Sequence, residues 1–165
     1  RLARTDELTG LHNRRYFMEL SGIELTRALR YDQPVSVLML DIDHFKSIND
    51  NYGHETGDRA LNAFSCACLS ATRTTDIFGR LGGEEFAFLM PETSADAAQE
   101  VAERLRETIE LVKVATPDGN TLNMTVSIGL TELLDDDRSM DNVLNRADQA
   151  MYQAKTSGRN KVVRI

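Results

Sequence analysis

Two glycines, two glutamates and a phenylalanine stand together at Gly82-Gly83-Glu84-Glu85-Phe86. Glycine tolerates the positive φ that a tight two-residue hairpin needs, at both positions of such a pair. Phe86, Phe88 and Met90 then recur at period two, so a strand is expected to lead away from the turn. Glu84 and Glu85 are thus placed at a hairpin tip, where bare backbone lets a large ligand approach closely. A second acidic site, Asp41-Ile42-Asp43, ends the apolar run Val35 to Leu40. If the two sites converge, Asp41 and Glu84 have the chemistry to hold magnesium, which usually takes one or two carboxylates plus substrate phosphates. Two ions about 3.5–4 Å apart would stabilise both the attacking and the leaving oxygen of a displacement. Spacing alone leaves open that each acid is a solvated loop residue.

Asn49 and Asp58 flank a polar, glycine-bearing segment, Asn49-Asp50-Asn51-Tyr52-Gly53-His54-Glu55-Thr56-Gly57-Asp58. Loop and helix-cap chemistry would explain such a stretch. The functional alternative is base recognition. A carboxylate only accepts, so Asp58 could take the N1–H and N2–H of guanine, which adenine lacks, and Asn49 could read the remaining edge. Lys46, Lys155 and Arg159 are candidates for phosphate contacts, while His12, His44 and His54 show no metal spacing with one another. Arg73-Thr74-Thr75-Asp76 reads, taken alone, as an ion pair at a helix end, worth under about 1 kcal/mol if exposed.

The elements that must position these groups follow from periodicity. A helix is expected over Arg14 to Tyr31, ended before Pro34, and a strand buried on both faces over Val35 to Leu40. Leu61, Phe64, Cys68 and Ala71 predict a helix over about residues 56–72. Asp76 to Leu81 and Glu85 to Met90 form the hairpin, broken by Pro91, and Ala98, Val101, Leu105, Ile109 and Val112 mark another helix. Leu122, Met124, Val126, Ile128 and Leu130 alternate with polar residues, predicting one half-solvated strand. Ser139 can cap a helix carrying Val143, Ala147, Met151 and Ala154, with Gly158 at its end and a short last strand over Lys161 to Ile165. The fold class is α+β, a sheet with packed helices built on a ferredoxin-like β-α-β-β-α-β core.

With 165 residues the chain is expected to be one domain, 1–165, large enough to bury a core. It starts at an arginine, which predicts a C-terminal fragment of a longer sensor protein. No apolar run approaches the roughly 20 residues needed to span a bilayer. A cytoplasmic domain without membrane contact is expected, although its parent could be membrane-anchored. A net charge of −7 argues against a nucleic-acid polymer as partner. Cys66 and Cys68 have no zinc spacing and are expected to be small buried residues in a reducing compartment.

Four ordered motifs across nearly the whole chain resemble the GGDEF domain, the catalytic module of bacterial diguanylate cyclases, whose fold is similar to nucleotidyl cyclase catalytic domains. They are Asp6-Glu7-Leu8-Thr9-Gly10-Leu11-His12-Asn13-Arg14-Arg15, then Asp41-Ile42-Asp43-His44-Phe45-Lys46 with the Asn49 to Asp58 segment, then Gly82-Gly83-Glu84-Glu85-Phe86 as the Glu variant of the signature, and Ala147 to Lys155 with Gly158-Arg159-Asn160.

The resemblance implies condensation of two GTP into cyclic di-GMP and two pyrophosphates, each domain holding one GTP and two domains meeting face to face as a transient or ligand-bridged homodimer. Two Mg²⁺ per site are implied, with Mn²⁺ as a substitute. Asp41, the Ile42 carbonyl and Glu84 become metal ligands. Asn49 and Asp58 become guanine readers with His54 beside them, and the backbone N–H groups of His44 and Phe45 face the phosphates. Lys46, Lys155 and Arg159 neutralise the triphosphate, Lys46 being best placed for the transition state. Glu84 is the usual candidate proton acceptor, and Glu85, facing the other way along its strand, has a less defined catalytic part. Asp43 could support the ligands from behind or be a surface acid. Arg73 and Asp76, five residues before the glycine pair, match the family's Arg-x-x-Asp product-inhibition site, with Arg104, on a predicted helix, as candidate for the second arginine bridged by a stacked product dimer. The alternatives are a catalytically inactive GGDEF domain acting as a receptor for GTP or cyclic di-GMP, and a cyclase with relaxed base choice, against which Asp58 argues.

Overall fold

The computed structural model describes residues 2–165. Its centre is the strand β1, Val35–Ile42, which runs two residues beyond the apolar run and is buried along its whole length, Asp41 included. β1 pairs antiparallel on one side with β3, Glu85–Pro91, and on the other with the strand Val126–Glu132. β2, Ile77–Gly82, pairs with β3. These four strands, with the helices between them, make the expected β-α-β-β-α-β core. A short terminal strand, Val162–Arg164, adds in parallel beyond Val126–Glu132 and completes a five-stranded sheet.

Helices cover both faces. α1, Arg14–Tyr31, occupies the range its flanks predict; the Asn13 side chain accepts from the Tyr16 N–H, and Asp32 in left-handed backbone closes the far end. α1 and the helix Met140–Thr156 cover one face, where Val37, Met39, Ala87 and Leu89 point. The helices His54–Leu69 and Ala95–Glu110 cover the other, over Leu38, Leu40, Phe86 and Phe88. There Phe78 stacks on Phe88 at 4.1 Å between ring centroids and Phe64 lies against Phe86 at 4.6 Å. Ser94 and, as predicted, Ser139 cap the helices that follow them.

The structure departs from the expected elements in several places. The helix expected over residues 56–72 is present as α3, His54–Leu69, but an unforeseen helix, α2, Phe45–Tyr52, precedes it, separated only by Gly53 at φ +91°. α2 is rich in Asn, Asp and Ser, weak helix formers, and is held by the burial of Phe45 and Ile48 against the sheet. The long alternating strand is two. Asn123 turns out of the ladder to donate to the carbonyls of Glu110 and Val112, so Thr121–Leu122 (β5) pairs with Val114–Ala115 (β4), and β6 begins at Val126. β6 is buried on both faces rather than half-solvated, because sheet and helices enclose it. Its buried hydroxyls are satisfied, Ser127 donating to Asp43 and Thr131 accepting from Arg146. Cys68 is buried as expected, but Cys66 is exposed. The remaining elements are α4, Ala95–Glu110, α5, Met140–Thr156, and β7, Val162–Arg164. Among the described residues no helix is long and apolar enough to cross a membrane.

Candidate active site

β1 and β3 bring the two acidic motifs together. Asp41 lies directly across from Glu85 in the ladder, and the Ile42 N–H donates to the Glu84 carbonyl at 3.4 Å. The two-residue turn is Gly83-Glu84 rather than the glycine pair. Gly83 takes φ +50° as first central residue, Glu84 stays at negative φ, and Gly82 closes β2 opposite Glu85. This matches the turn type that wants glycine only at its first central position.

Asp41 is 4% exposed. Burial pushes its pKa up to about 6, Lys155 on α5 opposes that through a direct hydrogen bond, and the charges of Glu84 and Glu85 raise it again. Three carboxylates and one ammonium therefore share the rim of the sheet. Among the described residues no three His, Cys, Asp or Glu side chains form a cage able to hold an ion alone. Asp41 and Glu84 are the carboxylates that could hold a hard cation whose remaining ligands are phosphate oxygens.

Beside these acids α2 starts abruptly. His44 precedes it in left-handed backbone at φ +55° and makes no side-chain cap. The first N–H groups of α2 have no carbonyl four residues back within the helix, so they point outward with the positive end of the dipole. Lys46 is exposed in that first turn. Asn49, half-buried on α2, reaches the start of α3, where a Cβ on Gly57 would sit 1.9 Å from its Oδ1. Glycine at 57 therefore makes the room that Asn49 occupies. Asp58 is exposed one residue further along α3, and His54 is exposed in its first turn. A nearby cavity of about 430 Å³ lies along Ser47, Ile48, Asn51 and Tyr52 of α2, and neither Asn49 nor Asp58 lines it.

The hairpin tip is tied down by residues that the spacing did not single out. Arg80 donates to the Gly83 carbonyl at 2.8 Å and to both oxygens of Asp6 at 3.1 and 3.2 Å. Asp6 also accepts the Thr9 N–H and hydroxyl, bonds that with Arg80 hold its pKa below the usual range despite burial. A partner 74 positions away leaves no periodic signal.

Arg73 and Asp76 do meet. The Asp76 carboxylate takes the Arg73 backbone N–H at 2.9 Å and its guanidinium at 3.2 Å, and Arg73 also donates to Thr93. Arg27 of α1 lines the same cavity as Arg73, with Glu24 and Gln33. Arg104 is on the exposed face of α4, and no hydrogen bond or ion pair among the described residues joins it to Arg73 or Asp76.

The sequence pattern of the family described as "Diguanylate cyclase, GGDEF domain" matches residues 3–161. The chain belongs to this family. It is similar to the response regulator PleD of Caulobacter vibrioides, 44% identical over 163 residues, which are 98% of this chain and 36% of that protein. Diguanylate cyclase A of Treponema denticola is 41% identical over 161 residues, 96% of this chain and 43% of that protein. This GGDEF chain thus spans less than half the length of these curated relatives. Among solved structures, the GGDEF domain of DgcB from Caulobacter crescentus, in complex with c-di-GMP, superposes with a TM-score of 0.94 at 32% identity, covering 99% of this chain and 94% of that one. The α+β architecture is therefore that of GGDEF structures.

Proposed function

We propose that this chain, as one GGDEF domain of a longer sensor protein, is a diguanylate cyclase that condenses two GTP into cyclic di-GMP and two pyrophosphates. The observation that carries this reading is the convergence of Asp41 with Glu84 beside the open start of α2. Asp41, the Ile42 carbonyl and Glu84 would hold Mg²⁺ (or Mn²⁺), two ions per site, which supply Lewis-acid polarisation of the α-phosphate and of the attacking 3′-hydroxyl. The N–H groups of His44 and Phe45 bind phosphate oxygens, and Lys46 and Arg159 neutralise them. Lys155 keeps the Asp41 carboxylate oriented and lies within reach of the same charges. Asn49 and Asp58 read guanine, with His54 at the edge. Glu84 is the candidate to receive the 3′-hydroxyl proton, and Glu85, across from Asp41, adds to the negative field. Each domain offers one such site, so turnover needs two copies facing each other.

The test is incubation with GTP and Mg²⁺ at high protein concentration, followed by chromatography. Cyclic di-GMP is expected, and binding of GTP without turnover would make the domain a receptor instead. Base reading has its own check. Asp58→Ala leaves guanine donors unpaired, so the KM for GTP is expected to rise by about 10- to 100-fold, the equivalent of ~1–3 kcal/mol. An unchanged KM, or equal turnover of ATP by the wild-type chain, removes Asp58 from that role.

Arg73 and Asp76 form the proposed product-inhibition site, where a guanidinium fork meets guanine or phosphate and a carboxylate accepts from a guanine edge. Arg27, in the same cavity, is better placed by geometry for a shared contact than Arg104, which stays the sequence-based candidate for the second arginine. Arg73→Ala is expected to raise the cyclic di-GMP concentration for half-inhibition by at least about tenfold, as loss of a charged hydrogen bond predicts. Inhibition identical to wild type in the same assay would refute the assignment.

A further inference from the structure

Asp43 stands next to the acidic pair yet contacts neither acid. It is 5% exposed, so it is not a surface acid. Its Oδ1 accepts from the Ser127 hydroxyl at 2.7 Å, and its Oδ2 accepts from the Thr125 hydroxyl at 2.7 Å and from the Asn160 backbone N–H at 3.0 Å. Three donors converge on one carboxylate, which suits an acceptor-only group and no other side chain of that size.

The Asn160 N–H belongs to an unusual turn. Arg159 and Asn160 are both non-glycine residues in left-handed backbone, at φ +63° and +46°. Such a pair persists only where the surroundings over-determine it. Here the Arg159 N–H closes the end of α5 on the Ala154 carbonyl, while the Asn160 side chain accepts from Arg106 at 3.2 Å and donates to Glu110 at 3.1 Å. Asp43 supplies a hydrogen bond that ties this turn to the residue following β1. Arg159 itself is exposed and makes no side-chain hydrogen bond or ion pair among the described residues.

We propose that Asp43 is a positioning residue whose carboxylate holds the Arg159-Asn160 turn against β1, so that the free Arg159 guanidinium faces the nucleotide phosphates. The inference rests on the GTP reading above and deepens it. It separates the two aspartates of the Asp41-Ile42-Asp43 motif into different jobs. Asp41 would hold the ion, and Asp43 anchors a cation carried by the other end of the chain.

A double-mutant cycle tests it. The affinity of a non-hydrolysable GTP analogue with Mg²⁺ is measured by calorimetry for wild type, Asp43→Asn, Arg159→Ala and the double variant, with thermal unfolding alongside. Asp43→Asn sets an amide N–H₂ against a donor and frees the turn. Each single variant is expected to bind about tenfold more weakly, the usual scale for a charged hydrogen bond, and the double variant no more than about tenfold. Losses that multiply to about a hundredfold, or wild-type affinity in Asp43→Asn whatever its melting temperature, overturn the proposal. If Asp43→Asn does not fold, Thr125→Val, which removes one of the three donors, enters the cycle with about threefold weakening expected and the same criterion. A wild-type chain that fails to bind the analogue overturns the GTP reading itself, and this inference with it.

Discussion

Glu84→Gln is expected to lower cyclic di-GMP formation by about a hundred- to a thousandfold while leaving the fold intact. Glu84 is half-buried at the second central position of the hairpin turn, and its backbone carbonyl, not its side chain, bonds Ile42. Replacing the carboxylate with an amide therefore spares the ladder. What it removes is a negative charge beside Asp41, one of two that push the Asp41 pKa up. A charge placed where a reacting phosphate carries its cation is worth two to three orders of magnitude in rate, the scale seen for single preorganised electrostatic groups. The same replacement relieves repulsion between two acids, so stability is expected to stay level or rise slightly. Activity and stability should part company in this variant, as they do where a site keeps unfavourable charges for function. The measurement is initial rate by chromatography paired with thermal unfolding. Wild-type turnover in Glu84→Gln would take Glu84 out of the chemistry.

Gly129→Ala is expected to destabilise the domain by about 3 kcal/mol, the upper end of ordinary overpacking, with a melting temperature lower by about 6–12 °C for a chain of this size. A Cβ at 129 would sit 2.1 Å from the Ala147 carbonyl oxygen and 2.3 Å from the Met151 nitrogen. Both are backbone atoms of α5, so no rotamer change can relieve the clash, and the helix must move off the sheet. α5 carries Lys155, which bonds Asp41, and ends in the turn holding Arg159. GTP binding should therefore weaken together with stability, whereas an exposed α5 substitution would change neither. Denaturant titration with an unchanged midpoint would show that the helix can ride outward at little cost.

Much of the fold was legible because local pattern and tertiary need agree. α1 begins at a capping asparagine and ends before a proline, and its apolar stripe, Phe17, Leu25 and Ala28, is the face that packs. The continuous apolar run of β1 predicts a strand covered on both sides, which its neighbours β3 and β6 and two helix layers supply. α2 was not legible, since a short polar helix is stabilised by burying Phe45 and Ile48 rather than by propensity. Nor was the break before β6, because Leu122 and Met124 enter the core as if they continued one strand.

The candidate chemistry-bearing residues were named by the sequence alone: the acids, the proposed base-reading groups, the cations, and a glycine beside them at the turn. Their partnership was decided only by the folded chain. Asp41 meets Glu85 across a ladder, Arg80 finds Asp6, and Asp43 reaches Asn160 across 117 positions. Residue type and short-range spacing are properties of the chain, so they can be read along it. Contact between distant positions exists only once the apolar faces of helices and sheet are buried against one another, because that burial fixes the register in which polar groups meet.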